Sequence, residues 1–228
     1  MDAGPETLDA LGCYALRYVK PGQNLGLGTG RAASAFIRAL GSAHIAVRGV
    51  PTSHASADLA RKLGIPLIEL DDAIRVDTDF DGADEVDPRL NMIKGAGGAM
   101  LREKVVAAAA RRRIFLVGEE KLVRRLGERG KLPIEVVAFA AGFAARALAK
   151  MGLRSQPRPA RVGGGNYITD NGNLVLDCVV REIRNPARLE REIMAVPGVV
   201  GTGLFVATAD LVLVGRRDGT IETLRRRV

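Results

Sequence analysis

The chain has 228 residues, room for one large domain or a main domain with a smaller one, and its 47% hydrophobic and 26% charged content is ordinary for a soluble globular protein. The longest uncharged apolar stretch, Val136 to Ala145, is about half of what a membrane span needs, and the acidic start Met1-Asp2-Ala3-Gly4-Pro5-Glu6 lacks the apolar core of a signal peptide. A net charge of +8 invites a nucleic-acid reading, but aromatics are 4% with no Trp, which excludes a stacking platform, and no helix-turn-helix or finger pattern is present.

Much of the excess charge sits in Arg111-Arg112-Arg113 and Arg225-Arg226-Arg227, read here as helix ends and surface decoration favoured by the helix dipole. Two cysteines, Cys13 and Cys178, are too few for a disulfide framework, and with two histidines there is no metal-ligand cluster. A cytoplasmic protein with no nucleic-acid or membrane partner is the expectation.

In chain order, Leu8 to Val19 reads as a helix closed by Pro21-Gly22, and Asn24 to Gly28 as a short strand opening into the Thr29-Gly30 loop. Helix Ala32 to Leu40, strand Ile45 to Val50, helix Ser56 to Leu63 stopped by Gly64, strand Pro66 to Leu70 and strand Arg75 to Phe80 follow. Ala99 to Ala110 is a helix and Arg113 to Val117 an apolar strand. Strands alternating with helices of this length predict an α/β fold, a mostly parallel sheet with helices on both faces.

The rhythm changes near Lys131. Ile134 to Val137 reads as a strand, Ala141 to Met151 as an amphipathic helix, and Asn171-Gly172 between apolar runs as a hairpin turn within Arg161 to Cys178. A helix over Pro186 to Ala195, ended by Pro197-Gly198, completes a small α+β domain of residues 131–205, before Leu211 to Gly215 returns to the first sheet. Residues 1–130 and 206–228 form the main domain in this division.

The densest chemistry lies between Asp79 and Lys104. Asp81-Gly82-Ala83-Asp84-Glu85 ends an apolar strand, where open α/β sheets place their ligands. Lys94-Gly95-Ala96-Gly97-Gly98 then leads into a helix carrying Arg102-Glu103-Lys104. Glycines let backbone N–H groups approach a small anionic molecule, and acids with a lysine can exchange protons with it. Gly26-Leu27-Gly28-Thr29-Gly30 at a helix start is a phosphate or hydroxyl cradle. Alone it could equally be a Rossmann turn, but no acidic residue about 20 positions on continues that fingerprint.

These segments, with Leu132-Pro133-Ile134-Glu135-Val136 and Thr169-Asp170-Asn171-Gly172-Asn173 further on, resemble in content and order the motifs of the type A ribose-5-phosphate isomerase family, from about Leu8 to Gly219. The resemblance implies a Rossmann-like catalytic domain with an inserted ferredoxin-like lid. It also implies interconversion of D-ribose 5-phosphate and D-ribulose 5-phosphate in the non-oxidative pentose phosphate pathway, no cofactor or metal, and a homodimer or homotetramer.

By the same resemblance Glu103 is the proton acceptor, Asp81 and Asp84 face the sugar with Asp81 assisting ring opening, and Lys94 stabilises the enediolate oxygen. Gly28, Thr29, Gly30, Gly82, Ala83, Gly95, Ala96 and Gly97 line the substrate, and Lys121 contacts its phosphate. The chain departs from the family at Arg31 and Ala32, where the family has Ser-Thr, and at Pro51-Thr52-Ser53-His54. A guanidinium at Arg31 can grip phosphate bidentately in place of the lost hydroxyls. The departures leave open a different sugar phosphate, or a non-catalytic sensor. A regulator would need a DNA-binding module for which the chain has no room, and acyl-CoA transfer on a similar fold suits the Asp81, Asp84 and Lys94 set less well than proton transfer.

Overall fold

The computed structural model describes residues 2–71 and 75–226. The chain begins with α1 (Pro5–Ala15), β1 (Asn24–Leu27), α2 (Arg31–Ala43), β2 (Arg48–Pro51), α3 (His54–Lys62) and β3 (Val76–Gly82). Two short strands, β4 (Glu85–Val86) and β5 (Met92–Ile93), precede α4 (Met100–Ala109) and β6 (Ala110–Gly118). Next come β7 (Lys131–Val136), α5 (Ala141–Lys150), β8 (Ser155–Pro157), β9 (Leu174–Val179), α6 (Pro186–Met194) and β10 (Val199–Thr202). The chain closes with β11 (Leu204–Phe205), β12 (Leu211–Gly215) and β13 (Ile221–Arg225). Backbone contacts divide it into two units: Met1–Ala83, Arg102–Leu122 and Thr208–Val228 in one, Asp84–Leu101 and Val123–Ala207 in the other.

The first unit is built on a six-stranded sheet in the order β13-β12-β6-β3-β1-β2, parallel throughout except for the antiparallel edge strand β13. The spacing of Ala33, Phe36, Ile37 and Leu40 puts one apolar stripe of α2 on the sheet, where Phe36 stacks on Phe80 of β3 with ring centroids 4.1 Å apart. Leu8, Leu11 and Ala15 do the same for α1, which starts on Pro5, and both helices join Leu25, Leu27, Ile114, Leu116 and Leu213 in the main core. Val106 of α4 packs with Val50, Val76 and Ala110 in a separate cluster. Ser53 caps α3 through a capping box with Ser56, and Gly64, at φ 71°, follows the end of that helix.

The second unit follows the βαββαβ order β7-α5-β8-β9-α6-β10, and its antiparallel sheet runs β10-β7-β9-β8. That topology is the ferredoxin-like split βαβ arrangement. Ile134, Val136, Leu148, Leu176 and Ile193 lie at its core. A three-stranded sheet, β11-β5-β4, belongs to the same unit. Burial pushes the Cys178 thiol of β9 up to about 12, which leaves it an inert core residue.

Two local readings are corrected. Pro66 to Leu70 is not a strand but a single bridge, Leu67 to Gly49, because only Pro66 O and Ile68 N reach β2. Arg111, Arg112 and Arg113 do not end a helix: they lie in β6, where Arg112 stacks over Tyr18 and Arg113 forks onto Asp210 at 2.9 Å. Of the second run, Arg225 ends β13 and Arg227 lies outside the described residues.

Helices α1 and α2 cross at Gly12, where an added Cβ would lie 2.7 Å from the backbone carbonyl of Ala35. Gly12→Val should therefore cost about 2 kcal/mol or more, the scale of forced overpacking. A shift of the urea midpoint reads this out, and an unchanged midpoint would show that the crossing tolerates a side chain.

Candidate active site

Within the first unit, the turn after β1 and the end of β3 lie against each other. Asp81 is fully buried, and its Oδ1 accepts hydrogen bonds from the backbone N–H groups of Thr29 at 3.1 Å and Gly82 at 2.7 Å. Gly28 makes this approach possible, since a Cβ there would sit 2.3 Å from the Asp81 carboxyl. The Thr29 hydroxyl donates to Ser53 Oγ at 2.8 Å and lies 2.8 Å from Thr52 Oγ1. Gly30 caps α2 at φ 104°, a conformation favouring glycine, and among the described residues no side chain caps that helix end. The first amides of α2 thus remain suited to an anion.

Arg31 opens α2 and is exposed. Its Nη2 donates to the Ala3 carbonyl at 2.6 Å and its Nη1 lies 3.6 Å from Asp2. Lys121, in a single 3-10 turn after β6, reaches the same Asp2 carboxylate at 3.3 Å. Ala32 stands beside Gly82, 3.8 Å from where a Cβ on that glycine would be. Glu103 lies in the first turn of α4 and is buried, where the positive helix end favours a carboxylate. His54 is the exposed first residue of α3.

The second unit holds Asp84, Lys94 and the glycine loop. Lys94 is buried, its backbone N–H donates to the Gly203 carbonyl at 2.9 Å, and its ammonium lies 5.4 Å from the centre of the Phe205 ring. Asp84 Oδ2 accepts from the Ala96 amide at 2.9 Å, while Ala96 and Gly97 form the exposed tip of the loop. Glu85 points elsewhere: its buried carboxylate accepts from the amides of Gly127 and Arg129 at 2.6 and 2.7 Å, and burial raises its pKa against those bonds.

The two downstream motifs form a single hydrogen-bond cluster. Glu135 Oε1 accepts from the Thr169 hydroxyl and from the side-chain amides of Asn171 and Asn173, at 2.9, 3.0 and 3.0 Å. Among the described residues no group of three or more His, Cys, Asp and Glu is arranged to hold a metal ion.

The model of the family described as ribose 5-phosphate isomerase A (phosphoriboisomerase A) matches residues 48–219. The chain belongs to that family. It is 47% identical to the ribose-5-phosphate isomerase A of Roseiflexus sp. (strain RS-1), over 92% of this chain and 91% of the relative. With that of Thermococcus kodakarensis the identity is 40%, over 94% and 96%. Among solved structures, ribose 5-phosphate isomerase A from Methanocaldococcus jannaschii superposes with a TM-score of 0.92 at 41% identity, over 97% of this chain and all of that one. A D-ribose-5-phosphate isomerase in complex with phospho-erythronic acid gives a TM-score of 0.94 at 37% identity, over 97% and 98%.

For a ribose-5-phosphate isomerase A, the residues that sequence reasoning missed are those behind the loop tips. Thr52 and Ser53 hold Thr29, and Arg158, Tyr167 and Asp177 hold the loop after Lys94. Only the hydroxyls of Thr52 and Ser53, at the start of a helix, gave a local signal.

Gly28→Ala should displace Asp81 and lower the turnover of ribose 5-phosphate at least about tenfold, because small misplacements of a reacting group are costly. Turnover at the parental level in a folded Gly28→Ala variant would show that the seat of Asp81 does not matter to the reaction.

Proposed function

We propose that this chain interconverts D-ribose 5-phosphate and D-ribulose 5-phosphate through an enediolate. Identity of 47% to a ribose-5-phosphate isomerase A, over nearly the whole of both chains, carries the reading. A solved neighbour bound to phospho-erythronic acid, a phosphorylated sugar acid, supports an anionic ligand of the same class. The alternatives of a sensor or another sugar phosphate are not favoured by these likenesses.

Each step has a residue suited to it. Asp81, pinned by two backbone N–H groups, exchanges a proton with the sugar hydroxyl and ring oxygen as the ring opens. Glu103 takes the proton from C2 and returns it to C1, so no net proton is consumed. Lys94 balances the charge on the enediolate oxygen in a buried setting, where such a charge pair is strong. Asp84 contacts the sugar and holds the loop tip through Ala96. The backbone of residues 28–30, 82–83 and 95–97 completes the contacts, with Arg31, Ala32 and Lys121 at the phosphate end.

Asp2 pairs with both Arg31 and Lys121, so a phosphate entering there exchanges one anionic partner for another. The reading also carries a homodimer or homotetramer in the cytoplasm. The exposed Phe139 and Phe143 are apolar surface that a second copy could cover.

Glu103→Gln should retain the fold and lower kcat by about three orders of magnitude, the loss on removing a positioned base. Near-normal turnover in that variant would take Glu103 out of the mechanism. Arg31→Ala should raise KM for ribose 5-phosphate about ten- to a hundredfold, the worth of a charge-assisted hydrogen bond. A parental KM would mean that Arg31 serves only Ala3 and Asp2.

A further inference from the structure

The loop after Lys94 is gripped from behind by side chains that the isomerisation scheme does not use. Three consecutive carbonyls accept hydrogen bonds from them: Gly95 O and Ala96 O from Arg158 Nη1 at 2.9 and 3.2 Å, and Gly97 O from the Tyr167 hydroxyl at 3.1 Å. Arg158 is in turn fixed. Its Nε and Nη2 fork onto the Asp177 carboxylate at 3.0 and 2.6 Å, and Lys131 adds a contact of 2.8 Å to that carboxylate. Arg158 and Asp177 are 9% and 5% exposed, so neither can swing into solvent without breaking the set. The Tyr167 ring stands where a Cβ on Gly98 would be, 2.4 Å away, and Tyr167 N donates to Arg158 O at 2.8 Å.

A buried ion pair contributes little net stability compared with apolar packing, so this guanidinium is better explained by the geometry it imposes. In a trans peptide the C=O and the following N–H point in opposite directions. With the carbonyls of Gly95 and Ala96 drawn toward Arg158, the amides that follow them, of Ala96 and Gly97, face the other way. The Ala96 amide is taken by Asp84 at 2.9 Å, and the Gly98 amide closes the turn onto Gly95 O at 3.0 Å. The Gly97 amide, at the exposed tip, donates to none of the described residues. A loop of this many glycines could turn its peptides over, and would then present carbonyl oxygens, which repel an anion.

We propose that Arg158, assisted by Tyr167, is a positioning residue that sets the peptide polarity of the Lys94 loop, so that the Gly97 N–H is offered to the oxyanion formed from the sugar phosphate. The inference rests on the isomerase reading above. Its effect falls on the charged intermediate more than on ground-state binding, so kcat responds and KM changes little.

The test is steady-state kinetics with ribose 5-phosphate on the full chain, for Arg158→Ala, Arg158→Lys and Tyr167→Phe, each with a thermal melt. Arg158→Ala should lower kcat about a hundredfold, the scale of one lost oxyanion donor, with KM within about threefold. Millimolar guanidinium should restore at least about tenfold of that loss, while sodium chloride at the same strength should not, since only a planar fork refills the site. Arg158→Lys should recover only part of the rate, and Tyr167→Phe should lose about three- to tenfold in kcat with an unchanged melt. Parental kcat in a folded Arg158→Ala variant, or a loss that tracks a lowered melt and ignores guanidinium, would overturn the assignment. So would parental kcat in Tyr167→Phe, which decides the matter alone if the Arg158 variants do not fold. A parent inert toward ribose 5-phosphate, or a Lys94→Ala variant at the parental rate, would instead sink the isomerase reading itself.

Discussion

A bare position on β1 and another just past its end face two buried carboxyls on β3. Gly26 pairs with Asp79 and Gly28 comes next to Asp81, and at both glycines an added Cβ would lie 2.3 Å from a carboxylate atom. The alternation of a strand does the rest: Leu25 and Leu27 turn to the opposite face, where they meet Phe80 and the main core. One Leu-Gly repeat thus delivers an apolar core to one face and room for acids on the other. Val106 of α4 comes within 2.7 Å of a Cβ on Gly26, so this helix is set by the same gap. Widening Gly26 would push on a carboxyl and on α4 together, and widening Gly28 would push on the Asp81 carboxyl and its strand.

The second unit uses hydrogen bonding where the first uses missing side chains. Glu135, fully buried, draws Thr169, Asn171 and Asn173 onto one oxygen and so defines the turn between them. Burial alone would raise the Asp177 pKa, but the bonds from Arg158 and Lys131 win and hold it below the usual carboxylate value. Its contribution to stability is therefore present above an ordinary aspartate pKa and is lost as pH falls through the depressed one. Asp210 follows the same pattern through Arg113.

Local pattern carried much of the architecture. Alternating apolar runs and helical stripes marked the five parallel strands and α1 to α4, and Gly64 and Pro197-Gly198 marked helix ends. Where local pattern failed, the cause was a neighbour distant in sequence. Pro66 to Leu70 has a strand's composition, but only one of its residues bridges to Gly49. The Asn171-Gly172 turn forms, yet only an isolated bridge from Ile168 to Leu174 links its two arms, and the strands pairing with β9 are Lys131–Val136 and Ser155–Pro157, both well upstream of the turn. For the site, glycines and acids close together in sequence pointed to the loops themselves. Arg158 lies 63 residues from Gly95 and Tyr167 lies 70 from Gly97, and no periodicity links such pairs.

The position of β12 has a consequence for how the protein is made. This strand lies inside the first sheet, between β6 and β13, and Thr7 and Leu11 of α1 pack where a Cβ on its Gly215 would stand. Helix α1 packs on α2 soon after both are made, but the part of its face around Thr7 and Leu11 waits for a strand made much later before it is covered. The continuous run Val123–Ala207, by contrast, carries the whole βαββαβ sheet and is complete earlier. Synthesis thus favours an order in which the second unit matures first, while the face of α1 around Thr7 and Leu11 stays open to chaperones until β12 arrives.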